Sequence, residues 1–374
     1  MPGGAERRST RVLLSVIAVC PPRASTLSRF CKALAGQSLP RDRFEAVIAL
    51  RSPDADCAEI ASHAAGSLGV PVRVLPGRGE CDSVLRNRAC GDALGSVIAY
   101  FEIDDAPRPE CLAAHADAHR STRADQTAIV FGPRMPEPRS SPTLFDRMLE
   151  GRCAASQSAG ADPVARDPGT GRAMLSNVSL LASAHRQVGG LSVMGDGAPY
   201  ADEEFLWRAR RAGIPLRDCP GAASEQTSHD SPEAWLERGL RLGAAALPFA
   251  RSSRSAALAL LGRDVCSPDE LDYSRRFVEH ETAFAQRQAQ SFRALANAPA
   301  AMADGPGGPA MLDALHELSL PLRRFVWRAG LAAALEGEPR ESLSLSMIGL
   351  AAAARSPGRP PAVRPAALSL VGAV

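Results

Sequence analysis

With 374 residues, the chain is too long for one minimal domain and fits a large α/β domain carrying an appendage. Hydrophobic residues make up 45% and charged residues 22%, ordinary globular proportions that exclude wholesale disorder and allow a large core. Basic residues number 43 and acidic residues 41, a formal charge of +2 without the basic excess or stripe of a general nucleic-acid binder.

Positive charge is almost entirely arginine, Lys32 being the lone lysine, which together with 30 prolines and many alanines reads as bacterial-type, high-GC coding bias. No uncharged apolar run reaches the length of about 18 residues that a membrane-spanning helix needs. The apolar stretch Leu13 to Cys20 is short for a secretory leader, lacks a small-residue cleavage site and reads as a strand, so a cytoplasmic protein is expected. The 9 cysteines are scattered and include no C-x-x-C, so reduced thiols are expected rather than a disulfide framework or a structural zinc site.

After a flexible start over residues 1–10, the chain alternates between strand and helix periodicity. Arg11 to Cys20 is a continuous apolar run bounded by Pro21 and Pro22, as in a buried parallel strand. Ser25 is placed to cap a helix whose apolar face carries Leu27, Phe30, Cys31 and Leu34. Phe44 to Leu50 follows as a strand, Asp54 to Leu68 as a helix, Val70 to Leu75 as a strand and Asp82 to Leu94 as a helix closed by Gly95. Val97 to Phe101 is a fourth strand and runs directly into Glu102-Ile103-Asp104-Asp105. Such alternation predicts a mostly parallel, Rossmann-like sheet with helices on both faces.

A helix from Pro109 to about His119 and a strand at Ala128 to Gly132 come next. Arg134 to Arg172, rich in Pro, Gly, Ser and charge with one helix at Leu144 to Leu149, reads as a mobile excursion over one face of the sheet. Ala173 to Leu181 is a strand; Asp202 to Ala212 and Pro232 to Leu247 are helices. An α/β domain is thereby bounded at residues 11–250, followed by a helical C-terminal extension over 263–354. The extension opens on the capping box Ser267-Pro268-Asp269-Glu270 and sets Phe277, Phe284, Phe292 and Leu295 on roughly one helix face. A linker is expected near 298–310 and a disordered tail over 355–374.

Two acidic clusters stand where ligands bind in open parallel sheets, beyond the carboxyl ends of strands or at helix starts. Adjacent carboxylates such as Glu102, Asp104 and Asp105 raise each other's pKa unless a countercharge is present, and a divalent cation supplies one. Asp202, Glu203 and Glu204 open a helix, and Gly189, Gly190, Gly195 and Gly197 before it would let backbone approach a ligand closely. His115 and His119, four apart with no third ligand in view, read as a solvent-facing stripe, and Trp207, Trp235 and Trp327 as packing residues.

Five pieces then stand in a familiar order: SVIAVCPPRASTLSRFCKALAGQSLPRDRFEAVIAL, RNRACGDALGSVIAYFEIDDAPRP, SNVSLLASAHRQVGGL, YADEEFLWRARRAGIPL and SHDSPEAWLERGLRLG. In these pieces the chain resembles the family 2 inverting glycosyltransferases with the GT-A fold. The resemblance implies transfer of a sugar from a nucleotide-sugar donor to a hydroxyl of a saccharide, lipid-linked or small-molecule acceptor, with inversion and with Mg²⁺ or Mn²⁺. It implies that Asp105 holds the metal, with Asp104 beside the ribose and phosphates and Arg86 and Asn87 facing the nucleotide. Asp202 is implied as the general base, Glu204 and Trp207 lie on the acceptor side, and His229 falls near the diphosphate or metal.

The departures are equally legible. The DXD slot reads Ile103-Asp104-Asp105, the usual D-D-G-S after strand two reads Arg51-Ser52-Pro53-Asp54, and Ala201 replaces the first acid of E-D-x-E. Glu102, one residue early, is expected on the opposite face of an extended strand. Two other readings therefore stand beside the enzyme: a degenerate, non-catalytic GT-A-like binding module, and another nucleotide-dependent transferase on the same sheet. The arginines around Trp327 leave a peripheral membrane contact of the C-terminal helices open.

Overall fold

The computed structural model describes residues 12–21, 24–52, 55–67, 69–120, 127–158, 175–194, 199–227, 230–338 and 342–350. In chain order these form β1 (Leu14–Cys20), α1 (Ala24–Ala35), β2 (Phe44–Leu50), α2 (Ala55–Ser67), β3 (Val72–Pro76), α3 (Asp82–Gly91), β4 (Val97–Glu102), β5 (Asp105–Pro107) and α4 (Cys111–Arg120). There follow β6 (Ile129–Phe131), β7 (Arg134–Pro136), α5 (Leu144–Ser158), β8 (Val178–Leu181), α6 (Ala182–Val188), α7 (Ala201–Arg211), β9 (Leu216–Asp218) and β10 (Ser224–Gln226). The helices α8 (Pro232–Ser252), α9 (Arg254–Leu261), α10 (Pro268–Ala296) and α11 (Gly308–Leu335) complete the described chain.

Seven strands form one sheet in the order β3-β2-β1-β4-β8-β6-β9, and β8 runs against the other six. This is the expected α/β architecture with a mostly parallel sheet, helices on both faces and a C-terminal helical region. Every residue of β1 and β2 is buried, which is why both read as unbroken apolar runs. Alternation of side chains divides the core in two. Leu14, Val16, Ala18 and Cys20 pack against Leu27, Phe30 and Leu34 of α1 and Leu112 of α4. Ile17, Val47, Ile98 and Tyr100 pack on the other face against Ala89 of α3 and Phe205, Leu206 and Ala209 of α7.

Several boundaries differ from expectation for local reasons. Helix α1 begins at Ala24, so Ser25 lies in its first turn rather than before it. Residues 173–174 of the predicted strand lie outside the described residues; among the described ones it is confined to β8, because Asn177 adopts a positive φ of 54°, which breaks extended pairing. A small second sheet, β5-β10-β7, escaped periodicity because its strands have three residues each. The segment read as a mobile excursion is packed over its first part: it forms β7 and α5, and Leu144 and Phe145 of α5 are fully buried. Its residues 159–172 lie outside the described residues, as does the tail 355–374.

The C-terminal helices are built around α11, which packs against α8, α10 and α5. Trp235, Leu236 and Leu240 of α8, Phe145 of α5, Phe292 of α10 and Phe325 of α11 form one buried cluster. Trp235 stacks on Phe292 with ring centroids 5.8 Å apart, as its packing assignment requires. Glycines set how closely α8 and α11 approach: a Cβ on Gly243 would lie 1.8 Å from the Trp327 carbonyl oxygen, and one on Gly330 would lie 1.9 Å from that of Leu240. Between α10 and α11, a 3-10 turn at Ala300–Asp304 is tied to the start of α5, the Leu144 amide donating to the Ala298 carbonyl and the Ala300 amide to that of Pro142.

The capping box is half formed. The Ser267 hydroxyl accepts from the Glu270 amide at 3.2 Å, but the Glu270 carboxylate turns away to Arg263 and Arg328. Two charge-assisted contacts outcompete the one return bond to the backbone.

Candidate active site

Three parallel strands, β2, β1 and β4, end side by side at Leu50, Cys20 and Glu102. Helix α3, which follows β3, carries Arg86 toward that edge, and the start of α7 brings Asp202 from the far side of the chain. Arg86 joins the two: its Nη1 is 2.8 Å from Asp202 Oδ1 and its Nη2 is 2.5 Å from Glu102 Oε1. The other oxygen of Asp202 accepts from the Leu175 amide at 2.9 Å. Each carboxylate oxygen retains a second lone pair, so Asp202, 13% exposed, can still meet a hydroxyl.

Glu102 is the most open acid of the group at 29% exposure. It sits deep enough that burial raises its pKa, against the pull of Arg86. The expected opposite-face placement holds: Ile103 joins Phe101 in the core against α1 and α4, whereas Glu102 lies on the face of Tyr100, where Arg86 meets both. On that face Glu102 is a member of the site, although the family pattern does not include it. Arg51, at the end of β2 where the family pattern has an acid, forms a two-pronged pair with Asp82 at 2.9 and 2.6 Å.

Asp105 is placed quite differently from the expected metal ligand. Its side chain is fully buried at the start of β5. Oδ1 is 2.8 Å from Arg134 Nε, while Oδ2 accepts from the Glu102 amide at 3.1 Å and from the Ser176 hydroxyl. Burial raises its pKa in spite of Arg134 and Ser176. Arg134 reaches it across the small sheet, where β10 lies between β5 and β7. Asp104 lies farther off, its carboxylate 3.9 Å from Arg134 Nη2. A divalent cation needs ionised, accessible oxygens. Here arginine already supplies the countercharge and the Asp105 carboxylate is fully inaccessible, so this donor set does not fit a cation. Among the described residues no cluster of three His, Cys, Asp or Glu side chains has metal-binding geometry.

The other expected site residues separate. Asn87 clasps Leu191, Nδ2 donating to its carbonyl at 2.8 Å and Oδ1 accepting from its amide at 2.9 Å, and so faces the loop after α6 rather than a nucleotide. The expected glycine approach serves this clasp: a Cβ on Gly190, at φ +74°, would lie 2.8 Å from Asn87 Oδ1. Gly195 and Gly197 lie outside the described residues. Glu204 is buried and held by Arg208 Nε at 2.6 Å and the Ser192 hydroxyl at 2.7 Å, with Arg208 Nη2 donating to the Gly190 carbonyl at 2.7 Å. It pins the same loop. Trp207 packs into the cluster of α8, α9 and α11 beneath Arg211, on a different side of α7 from Asp202. His229 lies outside the described residues.

His115 and His119 are buried, not solvent-facing. Asn177 Nδ2 donates to the carbonyls of Pro133 and Ala222, which leaves Oδ1 to accept from His115 Nε2 at 2.9 Å. His115 Nδ1 then accepts from the Ser179 hydroxyl at 2.8 Å, and Ser179 accepts from His119 Nε2 at 2.9 Å. Burial lowers the pKa of both rings to about 4, so this chain of polar groups is neutral and ties α4 to β8.

The sheet order, the single reversed strand and the site at the carboxyl edge define a GT-A-type glycosyltransferase fold. Over that fold the chain is similar to the mannosyltransferase PcManGT from Pyrobaculum calidifontis, solved in complex with GDP-Man and Mn²⁺. The identity is 16% and the TM-score 0.50, over 87% of this chain and 86% of that one. It is also similar to S. aureus TarS 1–349, at 16% identity and a TM-score of 0.44, over 87% of this chain and 92% of that one; that protein has also been solved with UDP-GlcNAc. No family model and no curated protein matches the chain. At such identity the likeness establishes the fold and leaves the reaction to the residues.

Proposed function

We propose that the chain is a family 2-type, inverting glycosyltransferase whose reaction centre is the Arg86–Asp202–Glu102 group. The observation that carries this reading is the convergence of Asp202 and Glu102, a hundred positions apart, on one guanidinium at the carboxyl edge of the parallel strands. The acceptor hydroxyl oxygen bonds to the anomeric carbon as the bond from that carbon to the donor diphosphate breaks. The diphosphate leaves with the electron pair, and the hydroxyl proton passes to Asp202. Arg86 orients Asp202 through one carboxylate oxygen and the Leu175 amide holds the other, so the base is pre-positioned. Arg51, the residue after β2, and Arg78, two residues after β3, follow the carboxyl ends of these strands and are our candidate cations for the departing diphosphate.

The Mn²⁺ bound by the Pyrobaculum mannosyltransferase argues for divalent metal use in this fold. The closed Asp105–Arg134 pair argues against it in this chain, so no step is routed through a cation. That same pair favours a second reading, a GT-A scaffold that binds a nucleotide-sugar without turning it over.

Titration of the full chain with UDP, GDP, UDP-GlcNAc and GDP-Man, in EDTA and in Mn²⁺, decides between them. Donor binding with turnover that Asp202→Asn abolishes supports the enzyme. Binding without turnover over a broad acceptor panel selects the scaffold, and no binding of any donor overturns both.

A further inference from the structure

The helices behind the site enclose a cavity of about 340 Å³ between α8, α9 and α11, a size in the range of about 300–1,000 Å³ typical of small-molecule sites. Its wall is of two kinds. Leu242, Leu260, Leu261, Val326 and the rings of Trp235 and Trp327 make an apolar floor, and among the described residues the charged lining consists of five arginines (238, 263, 323, 324 and 328) with no acid.

The pairing of three of these arginines, 263, 324 and 328, is incomplete. Arg238 is matched by Asp230. Arg263 and Arg328 share one carboxylate, that of Glu270, at 3.2 and 3.0 Å. The partners of Arg324 among the described residues are the Tyr273 hydroxyl at 2.5 Å and the ring of Phe277 at 4.7 Å, neither of them charged. Arg263, Arg324 and Arg328 together therefore carry a surplus of two positive charges against the single Glu270. Arg328, 3% exposed, is itself compensated by Glu270 and Ser274, so the surplus rests on Arg263 and Arg324, two exposed residues of the cavity lining.

Apolar surface continues outward from the same place. A second cavity of about 380 Å³, lined by Phe277 and Phe284 and also by Glu281, meets the first at Leu320 and Arg324. Leu320 and Phe284 are 42% and 40% exposed, large apolar groups left in water beside a cationic pocket.

We propose that this cavity binds an amphiphile with a phosphate monoester head, the dianion meeting the guanidinium groups of Arg263, Arg324 and Arg328 and the apolar chain lying on Leu260, Leu261 and Leu320. Two surplus charges match a dianion better than a carboxylate, and the planar guanidinium fork matches phosphate oxygens. The pocket also touches the reaction centre's scaffold: Trp327 Nε1 donates to the Tyr200 hydroxyl at 3.0 Å, and Tyr200 immediately precedes the helix that carries Asp202. An occupant is therefore read out in Trp327 fluorescence.

The test is calorimetric titration of the full chain with octyl phosphate below its micelle concentration, beside inorganic phosphate and octyl glucoside. Octyl phosphate is expected to bind about tenfold or more tightly than either, to raise the melting temperature and to change tryptophan emission, the last change being lost in Trp327→Phe. Arg323→Glu/Arg324→Glu, at exposed or half-exposed positions, is expected to weaken it about tenfold. Arg275→Glu/Arg276→Glu, on α10 outside the cavity, is expected to leave it unchanged. Equal binding of octyl glucoside, equal binding of inorganic phosphate, or equal loss in the two double variants overturns the proposal. Co-sedimentation with phosphatidic acid vesicles that Arg323→Glu/Arg324→Glu abolishes supports it with a bilayer lipid as the source. Octyl phosphate binding without co-sedimentation supports it with a soluble phosphate ester as the source.

Discussion

Nε of Arg134 lies 2.8 Å from Oδ1 of Asp105, and this contact occupies the aspartate that the family pattern assigns to a metal. The pair is buried on both sides, with Asp105 fully inaccessible and Arg134 15% exposed. An ion pair in such a place is costly to break from one side and much less costly to replace whole.

Arg134→Met is accordingly expected to lower stability by about 3–5 kcal/mol, as is Asp105→Asn, whereas the double variant loses distinctly less than the sum. Arg134→Met also leaves Asp105 without its countercharge and is expected to gain Mn²⁺ affinity over the parent chain. Chemical denaturation completes the first cycle and Mn²⁺ paramagnetic resonance reads the second. An additive cycle would refute the coupling.

Asp202→Asn removes the basic oxygen and keeps an acceptor for Arg86 or for the Leu175 amide, but not for both. Transfer is expected to fall by about 10²–10⁴-fold, with the melting temperature lowered by the broken Arg86 pair. Glu102→Gln is expected to shift the pH profile of transfer, because burial raises the Glu102 pKa toward the working range. Steady-state kinetics across pH separates the two roles.

His115, His119 and His185 each have a pKa lowered by burial to about 4 from the usual 6.5. The unfolded chain then binds more protons than the folded one between those values. The stability they contribute is complete above about pH 6.5 and is lost as the pH falls toward 4, by on the order of 3 kcal/mol per ring at most. A melting temperature that stays flat from pH 7 to pH 4.5 would contradict this account. A His119→Gln chain should show a shallower decline than its parent.

The crossing of α8 and α11 depends on Gly243 and Gly330. Alanine at either position meets backbone at under 2 Å and has to push the helices apart. The expected loss is about 1–3 kcal/mol each, measured by denaturant unfolding, with the double variant less than additive because one displacement relieves both. Gly262→Ala, which meets nothing within 4 Å but has a φ of +65°, serves as the control for backbone strain alone.

Much of the sheet was legible in the amino-acid order because β1, β2 and β4 are buried on both faces, and burial on both faces writes an unbroken apolar run. The amphipathic helices α1 and α7 were legible for the complementary reason, one face in the core and one in water. Asp202 stood out as an acid at a helix start, and the residues around it carried the family resemblance. The three-residue strands left no period to detect. Alternation put Glu102 on the face opposite Ile103, as found, but did not show that Arg86 would join it to Asp202 there.

What each polar residue contacts was decided by the tertiary structure. Nothing in the order of residues 134 and 105 announces that they meet, since a third strand lies between them and each comes from a segment too short to have a pattern. Asn87 and Glu204 match a functional motif by position, yet the loop after α6 folds onto both and uses their hydrogen-bonding groups. Local order sets where backbone becomes strand or helix, because burial of a face repeats along the chain. Pairing between charges depends on which segments are brought within a few ångströms, and that distance belongs to the whole fold.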